Sequence, residues 1–291
     1  MYRIGLIGSE NSHAWAFAKV FAKDPDFSDL VVTAVCGSEG RENSEKVQAY
    51  FPDAVIVERP EEMLPLVDAV MITSRDGIFH YPYAKPFLEA GKPMFVDKPF
   101  TVDPAEARAL VALAKEKNIP LCGGSSLKCC PDVREMAAKR QSLGKNIRTG
   151  FASAPLQPDS PYSGFYFYAS HLVEMCLEIF GWEPQAVTVL QAKNALTAVF
   201  HYEDLDAVCS FTPGCYKYFA QLTGSDNVLD SKEIDLSPAY KQEVAEFAEM
   251  LRTGQMPYTF AQLVEPVLCM NAIEEARKTG KKVVIQRDQD C

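Results

Sequence analysis

The 291-residue sequence contains no apolar run near the roughly 20 residues that a bilayer-spanning helix requires, which excludes an ordinary helical membrane protein. Histidine is scarce, with four in the chain, and none stands at metal-ligand spacing with a cysteine pair. The adjacent Cys129 and Cys130 are not a Cys-x-x-Cys, so no zinc or iron–sulfur site is expected. Positive charge is also short: 29 Lys and Arg against 39 Asp and Glu give a net charge of -10. Such a balance repels phosphate backbones and anionic lipid, and no nucleic-acid or membrane partner is expected. The N-terminus opens directly into a strand, with no basic stretch before an apolar signal core, which predicts a cytoplasmic protein. Nine cysteines, several in apolar runs, read as free buried thiols.

What is present is ordinary globular material: 47% apolar and 23% charged residues, in a length that suits two domains. Residues 1–124 alternate strand and helix. Strands are predicted at 2–8, 30–36, 54–58, 68–73, 93–97 and 120–123. Helices are predicted at 12–23, 41–51, 60–66, 78–90 and 103–117. Asn11 or Ser12 caps the first, Gly91 stops the fourth, and Asp103-Pro104 opens the fifth. This β-α-β rhythm predicts a parallel α/β sheet, a Rossmann dinucleotide-binding domain over 1–124. In such a sheet the loops after Gly8, Cys36, Thr73 and Asp97 share one crevice at the carboxyl ends of the strands.

Residues 125–291 change character. Helices are predicted at 131–143 and 168–180, strands at 147–155, 185–192, 196–202, 206–212 and 216–222, and closing helices at 238–253 and 260–278. That pattern predicts a second, α+β domain with a mostly antiparallel sheet for substrate binding and oligomerisation.

The loop Gly8-Ser9-Glu10-Asn11-Ser12-His13 stands where G-x-G-x-x-G would hold a pyrophosphate, but only its first glycine remains. Ser9, Asn11 and Ser12 supply donors there, while Glu10 brings a carboxylate towards an anion. After the second strand, Gly37 takes the position of the acid that usually binds the ribose hydroxyls. With Ser38 and Arg41 beside it, this loop favours NADP over NAD. An ordinary strand–turn–helix with a solvated Arg41 remains an alternative for both loops.

The segment Asp68–Pro99 resembles the glucose–fructose oxidoreductase / inositol dehydrogenase / MocA (Gfo/Idh/MocA) family. Thr73, His80, the turn Leu88-Glu89-Ala90-Gly91-Lys92 and Asp97-Lys98-Pro99 fall at the family's spacing. Asp97 replaces the usual Glu, and Ser74-Arg75 the usual Pro-Asn. Residues 110–124, Lys128-Cys129-Cys130-Pro131, His171-Leu-Val-Glu174 and 244–284 extend the likeness over most of the chain.

The resemblance implies a nicotinamide-dependent oxidoreductase acting on the CH–OH group of a sugar, polyol or related small molecule, assembled as a homodimer or homotetramer. It places Thr73, Ser74, Arg75, His80 and Asp97 at the cofactor, and Lys98 between cofactor and substrate. His171 becomes the acid–base residue, and Lys128 and Tyr166 line the substrate. The family's Asp four residues before the histidine is here Phe167, and Tyr166 or Tyr168 is the candidate hydroxyl in its stead. The implied arrangement sets Lys98 and His171 on either side of a nicotinamide. Two alternatives stay open: a metabolite sensor that kept the fold, and lyase or glycosidase chemistry through transient oxidation by bound NAD.

Overall fold

The computed structural model describes residues 1–287. Two compact units divide them: 1–124 with 240–263, and 125–239 with 264 onward.

The first unit holds six parallel strands, β1 (Tyr2–Ile7), β2 (Leu30–Cys36), β3 (Val55–Ile56), β4 (Ala69–Ile72), β5 (Met94–Asp97) and β6 (Leu121–Gly124). Their order is β3-β2-β1-β4-β5-β6, the doubly wound arrangement, and its switch point lies between β1 and β4. β4, β5 and β6 are buried along their whole length, as parallel strands covered on both faces must be. The crossover helices are α1 (Ser12–Lys23), α2 (Arg41–Gln48), α3 (His80–Glu89) and α4 (Pro104–Lys117). Asn11, not Ser12, caps α1, its side chain accepting from the His13 N–H. Asp103 caps α4 through the Ala105 N–H, and Asn118 ends it in the left-handed conformation.

The second unit begins with α5 (Pro131–Leu143), β7 (Ile147–Leu156) and α6 (Phe165–Phe180). Then come β8 (Ala186–Gln191), β9 (Leu196–His201), β10 (Asp206–Pro213), β11 (Phe219–Gly224) and β12 (Leu229–Glu233). Two helices follow, α7 (Ala239–Thr253) and α8 (Phe260–Thr279), and then β13 (Val283–Val284). The sheet runs β12-β11-β7-β10-β9-β8-β13. Only β7 and β10 pair in parallel; every other pair is antiparallel. Phe165, Ala169, Leu172, Cys176 and Phe180 form the inward stripe of α6, packed with Ala152, Phe200, Cys209 and Phe211 of the sheet.

Several boundaries differ from the sequence pattern. Residues 60–66 form one 3-10 turn over Pro60–Met63 rather than a helix. α2 stops at Gln48. α6 begins at Phe165, three residues early, because Gly164 adopts φ 54° and lets the chain turn directly from the Pro- and Ser-rich loop into the helix. β12 and β13 were not expected: β12 reads LDSKE, polar with no buried residue, and β13 is two residues long. Trp15 on α1 is 39% exposed.

The placement of α7 differs most. A division after residue 124 puts it in the second domain, yet its Val244, Phe247, Ala248 and Met250 share a core with Ile4, Phe17, Met71 and Phe95 of the first unit. Lys241 pairs with Asp24 at 2.6 Å, Arg252 with Asp29 at 2.6 Å, and the Tyr2 hydroxyl donates to the Leu251 carbonyl. Truncating Phe247 to alanine should therefore destabilise the protein by about 3–5 kcal/mol in denaturant unfolding. A loss below about 1 kcal/mol would contradict this packing.

Candidate active site

In the first unit the exits of β1, β2 and β4 are laced together by backbone. The Gly8 and Ser9 N–H groups both donate to the Cys36 carbonyl, at 2.8 and 3.1 Å. The Thr73 N–H donates to the Ile7 carbonyl at 2.7 Å, and its hydroxyl reaches Ile7 O at 2.9 Å and Gly8 O at 3.2 Å. Gly8 has φ +93°, and a Cβ there would lie 2.2 Å from the Ser74 nitrogen. Only glycine meets both demands. Gly37 faces Ser9, whose hydroxyl contacts that of Ser44 at 2.8 Å.

Glu10 resolves the difficulty that its charge posed. The carboxylate turns onto the neighbouring loops, accepting the Ser38 N–H and the Arg75 N–H at 3.2 Å each. The Arg75 guanidinium bonds the Glu10 carbonyl and pairs with Glu39 at 3.0 Å. Ser12 is exposed on the first turn of α1. Arg41 points along its own helix to Glu45 at 3.3 Å. Gly8, Glu10, Gly37, Ser38 and Ser74 line a cavity of about 100 Å³ at these strand ends.

The cavity admits only part of a dinucleotide, and one observation suits it to a polar group of that ligand. The Ser74 hydroxyl, 2% exposed and lining it, lacks a hydrogen-bond partner among the described residues.

At the exit of β5, Asp97 is fully buried. Its Oδ2 accepts from Asn11 Nδ2 at 3.3 Å and stands 2.7 Å from His13 Nδ1. Burial pushes the Asp97 carboxyl up, but the charge and hydrogen bond of His13, then Lys98, outweigh it and hold the group at about 2. Lys98 is 4% exposed. His80, expected at the cofactor, is a strut. Its ring nitrogens lie 2.7 Å from the Pro99 carbonyl and 2.8 Å from the Ser74 carbonyl, tying the exit of β5 to that of β4. Burial holds its basicity below that of a free histidine, against the pull of Asp97 and the two carbonyls.

The second unit carries a separate polar cluster. His171, on α6, has its Nδ1 2.7 Å from the Ser125 hydroxyl. Ser125 Oγ also accepts the Leu127 N–H at 3.3 Å, and the Ser125 N–H donates to Glu174 at 2.8 Å. When the Ser125 hydroxyl donates to Nδ1, the proton of neutral His171 sits on Nε2. Lys128, expected at the substrate, is 1% exposed and donates to Glu174 at 2.7 Å, which assigns it to the interior. Tyr166, also expected there, donates to Asn271 of α8 at 3.0 Å. Tyr168 packs on His171 with ring centroids 5.7 Å apart, and Tyr218 does so at 6.2 Å. Burial, then Tyr216, pushes the Tyr168 phenol up, so it is a protonated donor at neutral pH, not the acidified relay that a nearby cation would make. Phe167 packs between Tyr162 and Tyr168.

Ser125 and Tyr218 carry no motif in the sequence, and Glu174 appears there only within His171-Leu-Val-Glu174. The signal available was His171 and Glu174 at i, i+3, which places both on one helix face.

A parallel sheet ordered 3-2-1-4-5-6, with an obligatory glycine at its first crossover, defines a dinucleotide-binding Rossmann domain. Residues 2–124 match the GFO_IDH_MocA family, described as an oxidoreductase family with an NAD-binding Rossmann fold, and over this domain the chain is similar to that family. It is 36% identical over 115 residues to the uncharacterized oxidoreductase YdgJ of Escherichia coli, covering 39% of this chain and 31% of that one. It is 26% identical over 180 residues to IolW of Bacillus subtilis, a scyllo-inositol 2-dehydrogenase (NADP(+)), covering 56% of this chain and 50% of that one. The chain thus spans half or less of these curated relatives. In fold it resembles scyllo-inositol dehydrogenase of Lactobacillus casei, solved with NAD(H) and scyllo-inositol. The TM-score is 0.83 at 15% identity, over 98% of this chain and 99% of that one. No helix among the described residues is long and apolar enough to cross a membrane.

The Asp97–His13 contact sets a pH dependence. A carboxyl held at about 2, against 3.8 when unfolded, contributes stability that is fully present above pH 3.8 and lost as pH falls towards 2. Asp97→Asn should remove on the order of 2 kcal/mol of this dependence. Thermal unfolding between pH 5 and 2.5 checks it: the gap between the two proteins should narrow on acidification. A constant gap would show that Asp97 is not held ionised.

Proposed function

We propose that the protein is an NAD(P)-dependent oxidoreductase acting on a CH–OH group of a sugar, polyol or related small molecule. The observation that carries this reading is the lined cavity at the switch point, with its unpartnered Ser74 hydroxyl. The names of the relatives, inositol dehydrogenases among them, support the substrate class.

The nicotinamide, when bound, takes or gives the hydride. Gly8, Ser12 and Ser74 hold the dinucleotide, with the first turn of α1 turned to its phosphates. Lys98 binds the substrate oxygen and stabilises negative charge as it develops there. The aspartate pair with His13 and the His80 strut fix the β5 exit that carries this lysine. His171 passes the hydroxyl proton through Nε2, while Ser125 holds Nδ1 and Glu174 holds Ser125. Tyr168, packed against the His171 ring, offers its hydroxyl to the substrate.

The test is a panel of inositols, aldoses and alditols with NAD or NADP. Lys98→Met and His171→Gln should each lower kcat about 10²- to 10⁴-fold on whichever compound is turned over. NADH or NADPH binding should stay within about threefold of the parent, a difference below 1 kcal/mol. Full turnover by Lys98→Met would overturn the mechanism.

A further inference from the structure

We infer that the strand-end cavity of the first unit selects NAD over NADP, because carboxylates line it and the arginines of its loops are already committed. The inference rests on the reading that this cavity takes a nicotinamide dinucleotide. Residue types in the loop after β2 point the other way, since Gly37 brings no acid while Ser38 and Arg41 offer donors. Side-chain placement decides the matter.

A 2′-phosphate adds roughly 1.5–2 negative charges at neutral pH and calls for a guanidinium or ammonium to receive them. Arg41 has a side chain 63% exposed and pairs with Glu45 on α2. Arg75 is shared between the Glu39 carboxylate and the Glu10 carbonyl. Arg59 pairs with Glu62 at 3.0 Å. None of the three is among the residues lining the cavity, and no lysine is either.

Two carboxylates do line it, Glu10 from the β1 exit and Glu58 from beyond β3. Glu10 is 6% exposed, and its Oε2 already takes the Ser38 N–H, a donor that a phosphate at this loop would need. Like charges a few ångströms apart at a partly buried site repel strongly. The Cys36 thiol, which also lines the cavity, reports the same field. Burial chiefly pushes it up, with Glu10, Glu58, Glu62 and Glu61 adding to the rise, to about 12. For the unphosphorylated ribose the same groups are favourable, because Glu10 and Glu58 supply the carboxylate acceptors that position 37 lacks.

Fluorescence titration of the full chain with NADH and with NADPH tests this, beside Glu58→Gln and Glu39→Gln. The parent protein should bind NADH at least about tenfold more tightly. Glu58→Gln removes a lining charge and Glu39→Gln removes the charge that Arg75 pairs with. Each should bring the two affinities to within about threefold, chiefly by strengthening NADPH binding. NADPH binding as tight as NADH in the parent, or an unchanged ratio in both variants, would overturn the selectivity and leave the oxidoreductase reading intact. Binding of neither cofactor would overturn that reading and this inference with it.

Discussion

The close approach of Gly8 to the backbone of Ser74 is the constraint from which the rest of the first unit follows. A positive φ and a 2.2 Å collision for any Cβ allow one residue type at the β1 exit. That permission lets the β1 and β4 loops touch, lets Thr73 close over Ile7 and Gly8, and brings Ser74 to the cavity. Glu10 completes the device. Where the fingerprint would have a second glycine, a carboxylate staples the β2 and β4 loops through the Ser38 and Arg75 N–H groups. The loop has exchanged glycine's freedom for a buried charge that is satisfied on both oxygens.

Two buried electrostatic contacts stand beside the two residues assigned to chemistry. Asp97 with His13 sits next to Lys98, and Lys128 with Glu174 supports Ser125 and so His171. Such pairs are costly to bury and are weak sources of net stability, yet breaking one partner leaves an uncompensated interior charge. Their position argues for geometry over stability: each fixes the backbone or side chain of a residue proposed to react. His80 sits between the Ser74 and Pro99 carbonyls: as a neutral ring it donates to one of them, and only the charged ring would donate to both.

Much of this was legible in the sequence because it rests on local rules. Alternating apolar strands and capped helices in 1–124 dictated the parallel sheet, and Asp103-Pro104 and Gly91 marked ends that the structure keeps. Gly8, Thr73, Ser74 and Asp97 stand at the strand exits where the β-α-β rhythm put them. What was not legible depends on direction and distance. β12 has no apolar alternation to announce it, and the core of α7 joins the first unit through contacts more than 200 residues apart in sequence. Glu10 looked repulsive because its residue type was visible and its orientation was not. Lys128 and Tyr166 looked available for substrate until their partners, Glu174 and Asn271, appeared. Ser125 carries no motif; only the fold brings its hydroxyl to His171.

The central claim is that the exits of β1, β2 and β4 form the cofactor site. A crystal structure of the protein grown with NADH tests it most directly. The dinucleotide should lie along Gly8, Ser12, Ser38 and Ser74, with the Ser74 hydroxyl bonded to it and the Glu10 carboxylate still on the Ser38 and Arg75 amides. A dinucleotide bound elsewhere, with this cavity closed and Ser74 untouched, would contradict the account.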